Sequence, residues 1–94
     1  MSDQANDQET GLTLAYPIQA HGEEVTYLTL RRPRVRDLKL LDEAKGDVGK
    51  TAALIGALAG LTPREVDQLD AGDFTRLGLA VAGFLPGAPP TGEP

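Results

Sequence analysis

The sequence predicts an α+β fold, mostly helical, in which an N-terminal β-hairpin is followed by about four helices, two of them short. Three observations lead there. LTLAYPI has an alternating pattern and VTYLTL is rich in β-branched and aromatic residues, with a glycine between the two runs. Two later stretches place apolar residues three and four apart. Between them, Gly, Asp and a Thr-Pro pair punctuate the chain where helices stop and start.

The hairpin comes first. Leu12, Leu14, Tyr16 and Ile18 fall on one side of an alternating pattern, as a half-buried strand requires. Val25 to Leu30 is rich in β-branched and aromatic residues. Gly22, between the runs, supplies the positive φ of a tight turn. Pro17 has no N–H to donate, so its strand is expected at a sheet edge there. Two strands alone are marginal in water, so the hairpin must lie on the helices.

Val35, Leu38 and Leu41, with Leu40 and Ala44, form a first helical stripe, and Pro33 just before them suits a first turn. Gly46 is expected to end this helix and Asp47 to cap the next. Val48, Ala52, Ile55, Leu58 and Ala59 then make the second stripe, closed by Gly60. Thr62-Pro63-Arg64-Glu65 reads as a capping box opening a short helix with Val66 and Leu69. Asp70 or a neighbour caps a last helix that turns Phe74, Leu77, Val81 and Phe84 inward. Residues 1–11 hold little to bury and are expected to be a disordered tail. Residues 86–94 are Pro- and Gly-rich and read as an extended tail, leaving a single domain over 12–85.

Composition narrows the function. Ninety-four residues allow one small domain. A net charge of −5 and a pI of about 4.6 disfavour nucleic acid, whose phosphates need a positive field. No cysteine is present and only one histidine, so thiolate and multi-histidine metal sites are excluded. The apolar run Ala52 to Leu61 is about half the ~20 residues that span a bilayer. The polar N-terminus is unlike a targeting signal, and a soluble protein without membrane contact is expected.

Several short motifs invite a sharper reading. AKGDVGKT, Ala44 to Thr51, matches the loose phosphate-binding loop, but the preceding DLKLLDEA has helical periodicity where a buried strand is needed. Gly46 is better read as a helix stop and Lys50 as solvent-facing. The RRPRVR cluster, Arg31 to Arg36, reads as a solvated corner balanced by Glu23, Glu24, Asp37 and Glu43. Asp67, Asp70 and Asp73 lack the alternation of a calcium loop and suit helix starts. His21 reads as an exposed turn residue. Nothing resembles an active site, so no enzymatic activity and no cofactor are expected.

The most suggestive feature is the helix carrying Ala52, Ala53, Gly56, Ala57, Ala59 and Gly60. Glycine inside a helix costs about 1 kcal/mol relative to alanine, so Gly56 needs a close neighbour, inside the domain or from a partner. Gly78 and Gly83 raise the same question. Leu54 falls off the main stripe and is expected to be exposed.

Taken in order, LTLRRP, RDLKLLDEAKGD, KTAALIGALAGL, VDQLDAGDF and AVAGFL resemble the phage tail assembly chaperones of Mu-like and related contractile-tailed phages and prophages. One departure is the charged Arg34-Val35-Arg36 where that family suggests a small, uncharged turn. The resemblance implies a helper in the host cytoplasm, absent from the mature virion. Such a helper binds the tape-measure protein, keeps it soluble and helps recruit tail-tube subunits. It also implies that a longer, frameshifted product can exist. On this reading Leu54, Leu58, Val81 and Phe84 are the expected partner-binding residues, with no catalytic or metal-binding ones. The alternative is a small structural tail or adaptor subunit that stays in the particle. A nucleotide-hydrolysing enzyme and a small DNA-binding regulator fit the residues less well.

Overall fold

A computed structural model describes residues 9–84. The expected tails therefore lie almost wholly outside the described residues. Strand β1 (Glu9–Ala20) pairs antiparallel with β2 (Glu23–Arg31). A short α1 (Val35–Leu38) runs into a single 3-10 turn (Lys39–Asp42). Then come α2 (Gly46–Ala59), the short α3 (Pro63–Asp67) and α4 (Ala71–Phe84). The α+β, mostly helical class is as the sequence predicts. Strand β1 begins at Glu9, inside the stretch read as tail.

His21 and Gly22 form the two-residue connection, both with positive φ (57° and 81°), as a primed hairpin turn demands. Pairing is regular from Glu9–Arg31 to Thr13–Tyr27 and resumes at Ile18–Val25. Leu14 to Pro17 therefore face only Thr26, and Pro17 sits in this bulge where no ladder donor is required. The bulge breaks the alternation read from the sequence. Leu14 and Ile18 are buried, whereas Tyr16 is turned out to solvent.

One face of the hairpin lies on α2 and α4. Leu14, Ile18, Ala20, Leu28 and Leu30 meet Leu54, Ile55 and Leu58 of α2 and Leu77 and Val81 of α4, with Leu61 and Val66 closing one end. Phe74 and Phe84 are partly buried against this cluster.

The first helical stripe is corrected. The segment after Pro33 is one α-turn and one 3-10 turn instead of a single helix, and Val35, Leu38 and Leu40 are exposed. Only Leu41 packs on the core. Gly46 does not end the first segment as expected: that segment stops at Asp42 with Glu43 as its cap, and Gly46, with a positive φ of 74°, is the first residue of α2. Lys45 holds the cap position without a side-chain bond, and Asp47 lies in the first turn, where its charge meets the positive helix end.

Candidate partner-binding surface

Helix α2 has two faces of opposite character. Leu54, Ile55 and Leu58 enter the core. Gly49, Ala52, Ala53, Gly56 and Ala57 lie on the other side, so no side chain beyond a methyl stands there over about 12 Å of helix. Walls rise on both sides of this floor. Leu40 of the 3-10 turn forms one, and Leu61, Pro63 and Val66 the other, with Asp67 at the rim. The result is an open, largely apolar groove of about 420 Å³, in the ~300–1,000 Å³ range of binding clefts.

Gly56 has an internal reason. A Cβ there would stand 3.1 Å from the Leu61 carbonyl oxygen and 3.3 Å from Val66 Cγ2. The close approach is made by the chain's own turn into α3, whose Leu61 N–H donates to the Gly56 carbonyl at 2.9 Å. Gly78 likewise faces Thr51 of α2, at 3.1 Å from where its Cβ would be.

Three carboxylates fix the elements around this surface. Asp37, only 3 % exposed, accepts both arms of the Arg31 guanidinium at 2.8 Å and the Arg34 N–H at 2.7 Å. Arg31 also donates to the Ala57 carbonyl at 3.3 Å, tying the end of β2 to α2. The Arg31 hydrogen bonds, with help from the Arg34 N–H, hold the Asp37 carboxyl at about 2 despite its burial. The arginine corner is thus part clasp and part solvated. Arg31 is engaged, while Arg32, Arg34 and Arg36 remain exposed.

Asp73, 1 % exposed, is the second. Its carboxylate accepts the N–H groups of Ala15 and Tyr16 at 3.0 and 3.1 Å and pairs with Arg76. It therefore satisfies the backbone donors that the β1 bulge leaves without a strand partner. These hydrogen bonds, that of Ala15 foremost, lower its pKa. Glu65 is the third. Its carboxylate accepts the Thr62 N–H at 2.9 Å and the His21 N–H at 3.1 Å, and the Thr62 hydroxyl accepts the Glu65 N–H at 3.2 Å. The expected capping box is present, and it also holds the hairpin tip.

Of the aspartate series, Asp70 caps α4 by accepting the Gly72 N–H at 2.8 Å. Asp73 is a tertiary clasp instead of a cap, and Asp67 lies at the end of α3 on the groove rim. No group of three or more potential metal ligands occurs among the described residues. AKGDVGKT spans the end of a loop and the first turns of α2, following a 3-10 turn and no strand, with Lys50 exposed. No described helix is long and apolar enough to cross a membrane.

The four residues expected to meet a partner occupy different surroundings. Leu54, Leu58 and Val81 are buried at 3–4 % exposure, which corrects the reading of Leu54 as exposed. The helix turns it toward α4 and the hairpin, leaving small residues outside. Leu54 and Val81 form the floor of a smaller depression of about 250 Å³, rimmed by Asp47 and Lys50. Phe84 is partly exposed at the end of α4. The smooth face of α2 was visible in the sequence as Ala52, Ala53, Gly56 and Ala57. Its walls, Leu40 and Pro63, were not, because they come from other segments.

No match to the chain was found among curated proteins or solved structures. A family model described as phage tail assembly chaperone proteins, E, or 41 or 14, matches residues 11–86. That span takes in the hairpin, the clasps and both long helices, and the chain belongs to the phage tail assembly chaperone family.

Proposed function

We propose that this chaperone binds the tape-measure protein, takes apolar side chains of that long helical chain into the groove over α2, and so keeps it soluble. The observation that carries the reading is the groove itself: a helix face reduced to glycine and alanine between apolar walls. A helix can approach such a floor closely, as in helix-in-groove recognition. Covering an apolar stripe removes the surface that drives aggregation. A short, open groove favours modest affinity at each contact. Several copies along one partner then hold it while each can leave as tail-tube subunits assemble. Phe84, at the end of α4, adds apolar surface beside the fold, while Leu54, Leu58 and Val81 act from within by holding the two helices in place. On this reading the chain works in the cytoplasm of the bacterial host and is absent from the finished particle.

The test is co-expression with the tape-measure protein encoded nearby, scored by solubility and co-purification. Ala53→Glu and Leu40→Asp place charge in the groove without touching the core, and should abolish co-purification while leaving the melting temperature nearly unchanged. Retained binding by both folded variants would sink the groove assignment. Mass spectrometry of purified virions should find no copies of the chain, whereas a stoichiometric amount would mark it as a tail subunit.

A further inference from the structure

The two outer edges of the hairpin are treated differently. The β1 edge is occupied from Thr13 to the turn. Arg76 donates to the Thr13 carbonyl at 3.2 Å, and Asp73 takes the Ala15 and Tyr16 N–H groups. The Gln68 side-chain amide brackets Gln19, accepting its N–H at 2.9 Å and donating to its carbonyl at 3.0 Å. Glu65 takes the His21 N–H. Among the described residues, nothing outside the hairpin bonds to the backbone of Glu23 to Leu30. That strand also carries no proline and no lysine, and the irregularity of the ladder lies in its partner. The proline, the bulge and the covering side chains that protect an open edge are thus on β1, whereas β2 carries only the charges at its two ends.

The unprotected strand is also self-complementary. It reads EEVTYLTLRR from Glu23 to Arg32, acidic at one end, basic at the other and uncharged between. Two copies meeting edge to edge about a two-fold axis run antiparallel, with the axis at a residue so that facing side chains share a face. An axis at Tyr27 sets Glu23 opposite Arg31 of the second copy, and an axis at Leu28 sets Glu24 opposite Arg32. The register centred on Leu28 is the one the charges allow, because Arg31 is held by Asp37 whereas Glu24 and Arg32 are exposed. Tyr27, 57 % exposed at the middle of the strand, adds aromatic surface on the open face.

We propose that β2 pairs with β2 of a second copy of this chain, joining the two hairpins into a four-stranded antiparallel sheet with two-fold symmetry. The contact is a strand edge of nine residues, smaller than a standard interface of ~1,600 Å², so the dimer forms reversibly with concentration. This goes beyond the chaperone reading and does not depend on the groove.

Sedimentation velocity of the full chain, from micromolar to millimolar concentration, tests it. A monomer–dimer equilibrium is expected. Glu24→Lys and Arg32→Glu change exposed side chains and should keep the circular dichroism spectrum and melting curve. Each should weaken its own dimer by about tenfold or more, because like charges then face each other at both ends. Mixing the two should restore association, since lysine now faces glutamate and arginine faces the native Glu24. A chain that stays monomeric at millimolar concentration overturns the proposal. So does a dimer indifferent to both substitutions.

Discussion

Replacing Asp37 by asparagine removes one charge from a bidentate, largely enclosed ion pair and leaves the shape of the side chain in place. Its pKa is lowered from 3.8 to about 2 by the Arg31 hydrogen bonds and the Arg34 N–H. At about 1.36 kcal/mol for each pKa step, that difference corresponds to about 2 kcal/mol of folding stability near neutral pH. Contact energetics give a similar figure. Breaking a buried pair costs about 3–5 kcal/mol, but the Arg31 side chain is 34 % exposed, so water partly solvates the stranded guanidinium. The sign with pH follows from the depression. The contribution is complete above the unfolded value of 3.8 and is lost as pH falls through about 2. Urea unfolding of wild type and Asp37→Asn across this range is the assay. A gap of about 2 kcal/mol near neutral pH, or roughly 10 °C in melting temperature for a domain of this size, should close as the pH falls. The lowered Glu65 and Asp73 titrate in both proteins and so do not enter the gap. A gap below about 0.5 kcal/mol, the level of an exposed pair, or one that does not shrink in acid, would refute the reasoning.

Gly56→Ala should destabilise by about 1–3 kcal/mol in urea titration, because crowding against the Leu61 carbonyl outweighs the gain in helix propensity. Asp73→Ala removes the acceptor for two bulge amides, so hydrogen exchange of Ala15 and Tyr16 should accelerate far more than that of Leu28. Thr62→Ala should cost about 1 kcal/mol by removing half of the capping box, read from thermal melts. Ala53→Leu should leave stability unchanged or raise it by up to about 1 kcal/mol as the new side chain covers apolar wall. The same substitution should reduce tape-measure co-purification, and undiminished binding would argue against use of the groove.

What could be read from the sequence was what depends on local physics. The turn at Gly22, the capping box at Thr62, the cap at Asp70 and the inward set Leu77 and Val81 each follow from a few adjacent residues. What was missed depends on distant ones. Tyr16 kept the alternation of its strand on paper, and only the bulge held by Asp73, 57 residues away, turns it outward. Asp37 looked like one of four acids balancing a basic corner, and its bidentate grip on Arg31 requires the chain to double back after Pro33. Leu54 sits beside Ala53 in the sequence, so which of them faces out depends on where α4 and the hairpin lie. For the groove, the floor was legible because glycine and alanine share one helix face, whereas Leu40, Leu61 and Pro63 are brought to it by the connections before and after α2.

The clasps and the groove belong to one design problem. A domain of this length has little apolar surface to bury, and its helices ordinarily bury one apolar face and cover the other with larger polar side chains. Apart from Gly56, which has no room for a side chain, helix α2 keeps glycine or alanine at Gly49, Ala52, Ala53 and Ala57 where larger side chains would add cohesion, which leaves the core one-sided. The three carboxylates act where that one-sidedness is weakest. Asp37 binds the end of β2 and the Ala57 turn through Arg31, Asp73 binds the bulge of β1 to α4, and Glu65 binds the hairpin tip to α3. Asp73 and Glu65 reach backbone donors far away in sequence, and Asp37 acts through Arg31, which reaches Ala57, so each adds to the joining of hairpin and helices without filling the groove. Polar clasps at the margins thus offset the cohesion forgone on the outer face of α2. That arrangement is what the proposed use of the face by a partner requires, with cohesion given up where the groove must stay open.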